Sequence, residues 1–174
     1  PPMPIKCAGA PQKAMYLSCD HWQKSGQLEG MNVSFCNAGP VLFGCATYVP
    51  PLMKYVEKYG INLDFGHNLT KIDGPSKKAW FSVKKEGEDA KTIERSFDMI
   101  HVCPPQRAPD FIKNSPLANE GGWVDVNAET LQHNKFSNIF SLGDVTSTSN
   151  AKTVAAARKQ APIVAQNIIA YFDK

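Results

Sequence analysis

Along this chain the spacing of apolar positions changes period several times, and each change marks an element. Residues 31–36, Met31-Asn32-Val33-Ser34-Phe35-Cys36, read as a buried strand, followed by a loop over 37–44. A helix then runs through about Tyr59, kinked or restarted at Pro50-Pro51, and leads to a second strand over 61–65, which completes a βαβ outline. Three alternating runs, 69–73, 79–84 and 92–97, predict a three-stranded antiparallel meander with turns at Asp73-Gly74-Pro75 and Glu86-Gly87. Residues 98–103 read as a buried strand returning to the parallel sheet and stopped by Pro104-Pro105, with the Pro-rich stretch 104–116 crossing to a second region. There the pattern predicts strands over 123–126 and 138–142 and a last helix from about Ala151, kinked at Pro162. A further helix opens near Pro11. The class is α/β: a Rossmann-like domain over 1–110 carrying the meander, and a second domain segment over 111–174.

Composition adds limits. With 174 residues, 43% hydrophobic and 20% charged, the chain can bury a core as one or two compact units. A net charge of +3, scattered along the chain, excludes nucleic acid as the expected partner; Lys77-Lys78 and Lys84-Lys85 read as solvated hairpin ends. No apolar run reaches membrane-spanning length. The cysteines at 7, 19, 36, 45 and 103 and the histidines at 21, 67, 101 and 133 have no metal-ligand spacing, so no metal site is expected. Cys36 and Cys103 read as core residues, whereas Cys19 and Cys45 read as helical with nothing beyond their thiols to mark them.

Cys7 differs. It precedes the small residues Ala8-Gly9-Ala10, which let a flat ring or another chain approach the backbone, and both Lys6 and the adjacent helix start favour its thiolate. A second candidate is the run Asn138-Ile139-Phe140-Ser141-Leu142-Gly143-Asp144-Val145, a strand ending in Gly-Asp ahead of the last helix. Gly143 permits close approach of a ligand, Asp144 can accept hydrogen bonds from sugar hydroxyls, and the helix start favours an anion. The loop over 37–44 stands where a nucleotide-binding loop would, yet it holds only Gly39 and Gly44, with Pro40 beside the first. Asp64 could imitate a ribose-binding acid, although a lone acid at a strand end is usually solvated.

Ile5-Lys6-Cys7-Ala8-Gly9-Ala10-Pro11-Gln12-Lys13, His101-Val102-Cys103-Pro104-Pro105, Gly122-Trp123-Val124-Asp125-Val126, Glu129-Thr130-Leu131-Gln132-His133 and Gly143-Asp144 with Lys152-Thr153 together resemble the flavoprotein sulfide:quinone oxidoreductases. The likeness is to the mitochondrial-type branch and its bacterial relatives. It implies an FAD/NAD(P)-type fold in which 1–110 is a degenerate NAD(P)-type domain preceded by the redox-cysteine segment, and 111–174 is the returning part of the FAD domain. It also implies oxidation of hydrogen sulfide to a persulfide, with electrons passing through FAD to a quinone and the sulfur to a thiol, sulfite or cyanide. Cys7 matches the family cysteine beside the flavin, which is freed as a thiolate when sulfide opens a disulfide. Gly143, Asp144, Lys152, Thr153, Val154, Ala155, Ala156 and Ala157 match the FAD-binding corner.

The resemblance further implies peripheral attachment to the bacterial cytoplasmic or mitochondrial inner membrane through parts outside the chain. The family's G-x-G-x-x-G unit would precede Pro1 and the partner cysteine would follow Lys174, so the chain reads as an internal piece, expected to hold FAD poorly and to lack turnover alone. Two other readings are an NAD(P)H-dependent disulfide or quinone reductase, which the poor loop disfavours, and a non-catalytic domain of the same outline.

Overall fold

A computed structural model describes residues 1–84 and 88–173. The chain divides into two compact units, Pro1–Pro105 and Gln106–Lys174. In the first, α1 (Gly9–Lys24) buries Gln12 and Cys19 and packs Met15, Tyr16 and Trp22 beside them, a three-to-four-residue spacing that forms one helical stripe. β1 (Ser34–Asn37) pairs in parallel with β2 (Asn62–Phe65), Phe35 opposite Leu63. Between them α2 (Val49–Tyr59) starts at the two prolines rather than being kinked by them. In the first turn of a helix the missing N–H groups have no intrahelical acceptor to lose. Gly60, at φ 63°, ends α2 in the left-handed conformation. Cys19, Phe35, Leu42, Val56, Tyr59 and Ile61 form the core between these elements.

β3 (His67–Asp73), β4 (Lys78–Val83) and β5 (Lys91–Ser96) form the antiparallel meander that alternation predicts, in the order β3-β4-β5. Thr70 is the extra residue where the β3–β4 register shifts, and its hydroxyl donates to the Trp80 carbonyl at 3.1 Å. The expected turn at Glu86-Gly87 lies outside the described residues.

The return strand over 98–103 does not form. Met99 is 67% exposed, Ile100, Val102 and Cys103 are half-buried, and the parallel sheet holds only β1 and β2 among the described residues. Pro104 and Pro105 offer no N–H to a ladder at the end of this stretch. Cys45, read as helical, is exposed and extended just before a 3₁₀ turn over Ala46–Tyr48, whereas Cys19 is fully buried on α1.

In the second unit, α3 (Asp110–Lys113) is short, and the predicted strands contribute isolated bridges: Val124 to Ala118 and Thr146, Val126 to His133, Gln132 to Phe140. Pairing stops early because the chain bends between them. Asn127 Oδ1 accepts from the Glu129 and Thr130 amides at 2.9 and 3.1 Å, and Leu131 sits at φ 60°. The core is Val124, Val126, Leu131 and Val164, the last from α4 (Val154–Phe172). His133, 4% exposed, holds this unit's loops: its Nε2 lies 3.0 Å from the Leu117 carbonyl, and its Nδ1 accepts from the Lys135 and Phe136 amides at 2.9 and 3.3 Å. An Nδ1 that accepts carries no proton, so Nε2–H is the donor to Leu117.

Candidate functional site

The second unit brings the Gly-Asp run and the start of α4 together. After Leu142 the backbone turns through Gly143–Val145, with Gly143 at φ 76°, a conformation in which a side chain is strained. The Gly143 amide donates to Gln160 Oε1 on α4 at 2.8 Å, and a Cβ at Gly143 would rest against Ala157 at 3.5 Å. The Gly143 carbonyl accepts from the hydroxyl of the fully buried Thr146 at 2.9 Å. Held this way, the turn leaves Asp144 exposed.

The helix begins three residues later than its composition suggested, at Val154 instead of Ala151. Thr153 takes extended geometry and its hydroxyl oxygen accepts from the Ala156 amide at 3.2 Å. The amides of Val154 and Ala155 belong to the opening turn, where the helix itself supplies no acceptor. Both residues are exposed, Val154 at 85%, while Ala156 and Ala157 are half-buried. Lys152 serves the frame: its ammonium donates to the Thr146 carbonyl and lies 4.6 Å over the Trp123 ring. A glycine that admits close approach, an exposed carboxylate and an exposed, capped N-terminus of a long helix fit the sugar and anionic groups of a nucleotide cofactor such as FAD.

Cys7 belongs to the first unit. It is half-buried and free, its carbonyl accepts from the Ala10 amide at 3.1 Å, and α1 opens two residues later at Gly9.

At the carboxyl end of the βαβ unit the side chains are committed elsewhere. Asn37 Oδ1 accepts the Gly39 amide at 3.3 Å and Asn37 Nδ2 donates to the Val41 carbonyl at 2.9 Å, so the loop bonds to itself. Asp64 is not the solvated acid expected. It pairs with Arg95 of β5 at 2.6 Å, and this bond holds its carboxyl below the usual carboxylate range. Arg95 also reaches His67 Nε2 at 3.4 Å and Cys36 Sγ at 3.7 Å. Cys36 is therefore a half-buried thiol in polar company and not the apolar core residue its strand suggested; burial pushes its thiol up, with Arg95 opposing and Asp64 adding to the shift. A nucleotide-binding loop needs free amides and a free acid at these two places. Here the Gly39 and Ala38 amides and the acid are engaged, which disfavours the pyridine-nucleotide reductase alternative.

Among curated proteins, the chain is 42% identical over 95% of its length to the mitochondrial sulfide:quinone oxidoreductase of Dictyostelium discoideum and 38% identical over 94% to that of Mus musculus. The chain is a homologue of the sulfide:quinone oxidoreductases. It spans 36% of the length of each of these two relatives. The solved sulfide:quinone oxidoreductase of the hyperthermophilic bacterium Aquifex aeolicus shares its fold, with a TM-score of 0.76 at 20% identity over 95% of this chain and 41% of that one. No protein-family model matches. The mixed α/β architecture, with its βαβ unit and three-stranded antiparallel meander, agrees with the Rossmann-like fold class read from the sequence.

Sequence reasoning did not single out Gln160 or Arg95. Gln160 had no signal, since its partner lies 17 residues away across a turn. Arg95 had a weak one: it follows Glu94, whose carboxylate pairs across the meander with Lys78 at 2.7 Å, so alternation turns Arg95 to the opposite face.

Proposed function

We propose that this chain supplies the flavin-facing thiol and part of the cofactor site of an FAD-dependent, membrane-associated enzyme that oxidises hydrogen sulfide to sulfane sulfur and reduces a quinone. The observation that carries the reading is the 38–42% identity to proteins of that name along 94–95% of the chain. Because the chain spans about a third of those proteins, the activity belongs to the full-length protein.

Each residue has a role in this reading. Hydrosulfide attacks one sulfur of a disulfide joining Cys7 to a cysteine outside the chain. The S–S bond breaks, the attacked cysteine keeps a persulfide, and Cys7 leaves as a thiolate. Two small residues after Cys7, Ala8 and Gly9, leave room for a flat ring against the backbone. Asp144 accepts hydrogen bonds from cofactor hydroxyls, Gly143 allows their approach, and the amides of Val154 and Ala155 face anionic groups. Ala156 and Ala157 keep that helix face narrow, while Lys152 and Thr153 position the corner through the Thr146 carbonyl and the helix cap. Bound FAD supplies a two-electron acceptor that a quinone can reoxidise. A thiol, sulfite or cyanide then takes the sulfane sulfur, restoring the disulfide once the electrons have left.

The test is an anaerobic sulfide titration of the full-length, flavin-loaded protein, followed by addition of a short-chain quinone. Bleaching of the flavin by sulfide and its recovery with quinone are expected. Bleaching by NADH with no response to sulfide would refute the assignment.

A further inference from the structure

One side chain, Gln160, fastens the glycine turn to α4, and it stands half-buried on the second turn of that helix. Its Oε1 accepts from the Gly143 amide at 2.8 Å, and its Nε2 donates to Asn150 Oδ1 at 3.3 Å. The first bond fixes which end of the amide is oxygen, since the reverse orientation would set N–H against N–H. Asn150 is oriented as well: its Nδ2 donates to the Ala151 carbonyl at 3.0 Å, which leaves Oδ1 for Gln160. Both ends of one amide are thus used, on the two ends of the segment 143–150.

Gly143, at φ 76°, does not hold this geometry by itself, because glycine has the widest backbone freedom. The bonds from the Thr146 and Thr153 hydroxyls and the Lys152 ammonium run within residues 143–156 and do not reach the body of α4. Gln160 lies beyond them, one turn along the helix from Ala156 and Ala157. Asp144 follows Gly143 directly, so the clasp also sets where that carboxylate stands relative to the amides of Val154 and Ala155. The Gly143 amide is itself taken, which leaves the anionic groups of a guest to the helix start.

We infer that Gln160 is a positioning residue of the corner. With both polar ends held by the protein, it fixes the separation between Asp144 and the Val154 and Ala155 amides that a single FAD molecule must bridge. The inference rests on the reading of the corner as part of an FAD site. A side chain that merely filled space would need neither an acceptor at one end nor a donor at the other.

The experiment measures FAD release from the full-length, flavin-loaded protein by the change in flavin fluorescence after dilution. Gln160→Met, close in length and without hydrogen bonds, should release FAD about tenfold faster, the effect of a hydrogen bond lost at a half-buried amide. Gln160→Glu keeps an acceptor for the Gly143 amide and should stay within about threefold of the unaltered protein. Asn150→Ala removes the other bond from an exposed position and should speed release about threefold. It decides the matter if Gln160→Met does not fold, and unchanged release there would then overturn the inference. Hydrogen exchange separates positioning from support of the fold: in Gln160→Met it should rise over 143–146 and stay unchanged over 124–133. Release at the unaltered rate in Gln160→Met, release from Gln160→Glu as fast as from Gln160→Met, or exchange that rises equally over 124–133 would overturn the inference. An unaltered protein that retains no FAD would instead refute the reading on which it rests.

Discussion

His133→Ala should loosen the second unit selectively, and its size can be worked from the bonds lost. The imidazole is 4% exposed, donates to the Leu117 carbonyl at 3.0 Å and accepts from the Lys135 amide at 2.9 Å. Each such bond contributes about 1 kcal/mol net. The third contact, from the Phe136 amide at 3.3 Å, is longer, and Phe136 is 37% exposed, so water can replace much of it. Removing the ring also empties space beside Phe136, whose centroid lies 5.0 Å away, for about another 1 kcal/mol. The sum is about 3 kcal/mol, or roughly a 100-fold fall in protection from hydrogen exchange. Exchange detected by mass spectrometry on peptides over 124–133 reads this directly, with peptides over 79–83 as the internal reference. A fall smaller than about tenfold would mean that the histidine does not hold these loops, and the reasoning from its hydrogen bonds would fail.

Four other outcomes are expected. Cys7→Ser in the full-length protein should abolish flavin reduction by sulfide while FAD stays bound; normal bleaching of that variant would remove Cys7 from the chemistry. Asp144→Ala should weaken FAD retention by roughly tenfold through loss of one acceptor, read as the flavin-to-protein absorbance ratio after dialysis, and a full complement would refute that role. Thr153→Ala should destabilise α4 by about 1 kcal/mol, seen as faster exchange over 154–158, and unchanged exchange there would deny the cap. Asp64 has a depressed pKa in the folded state because of Arg95, so its contribution to stability is present above the unfolded value of about 3.9 and is lost as pH falls through the folded value. Asp64→Asn should flatten that part of the acid-unfolding profile; an identical acid profile in the variant would exclude the pair as its source.

What the sequence revealed follows the range of the forces involved. The βαβ unit and the meander come from patterns within single elements, such as the apolar run that ends in β1 or the alternation of β4, and these were legible. The failed strand over 98–103 is the reverse case, because a short apolar run states that it prefers burial and does not name a partner. The environment of Cys36 was hidden for a similar reason: its neighbours Asp64 and Arg95 are 28 and 59 residues away. The late start of α4 could have been found, since threonine is favoured at the residue before a helix and disfavoured within it.

The bond from the Gly143 amide to Gln160 has a consequence for recognition. It ties the glycine turn to the second turn of α4, the same helix whose first turn presents Val154 and Ala155. A guest arriving at the corner therefore meets surfaces that are already in register, with little conformational entropy left to lose on association. If the corner holds the proposed cofactor, an amide side chain remote from the guest contributes to its affinity by keeping these surfaces in place. Variation at position 160 would then tune how tightly the corner holds its ligand while leaving its chemical selectivity unchanged.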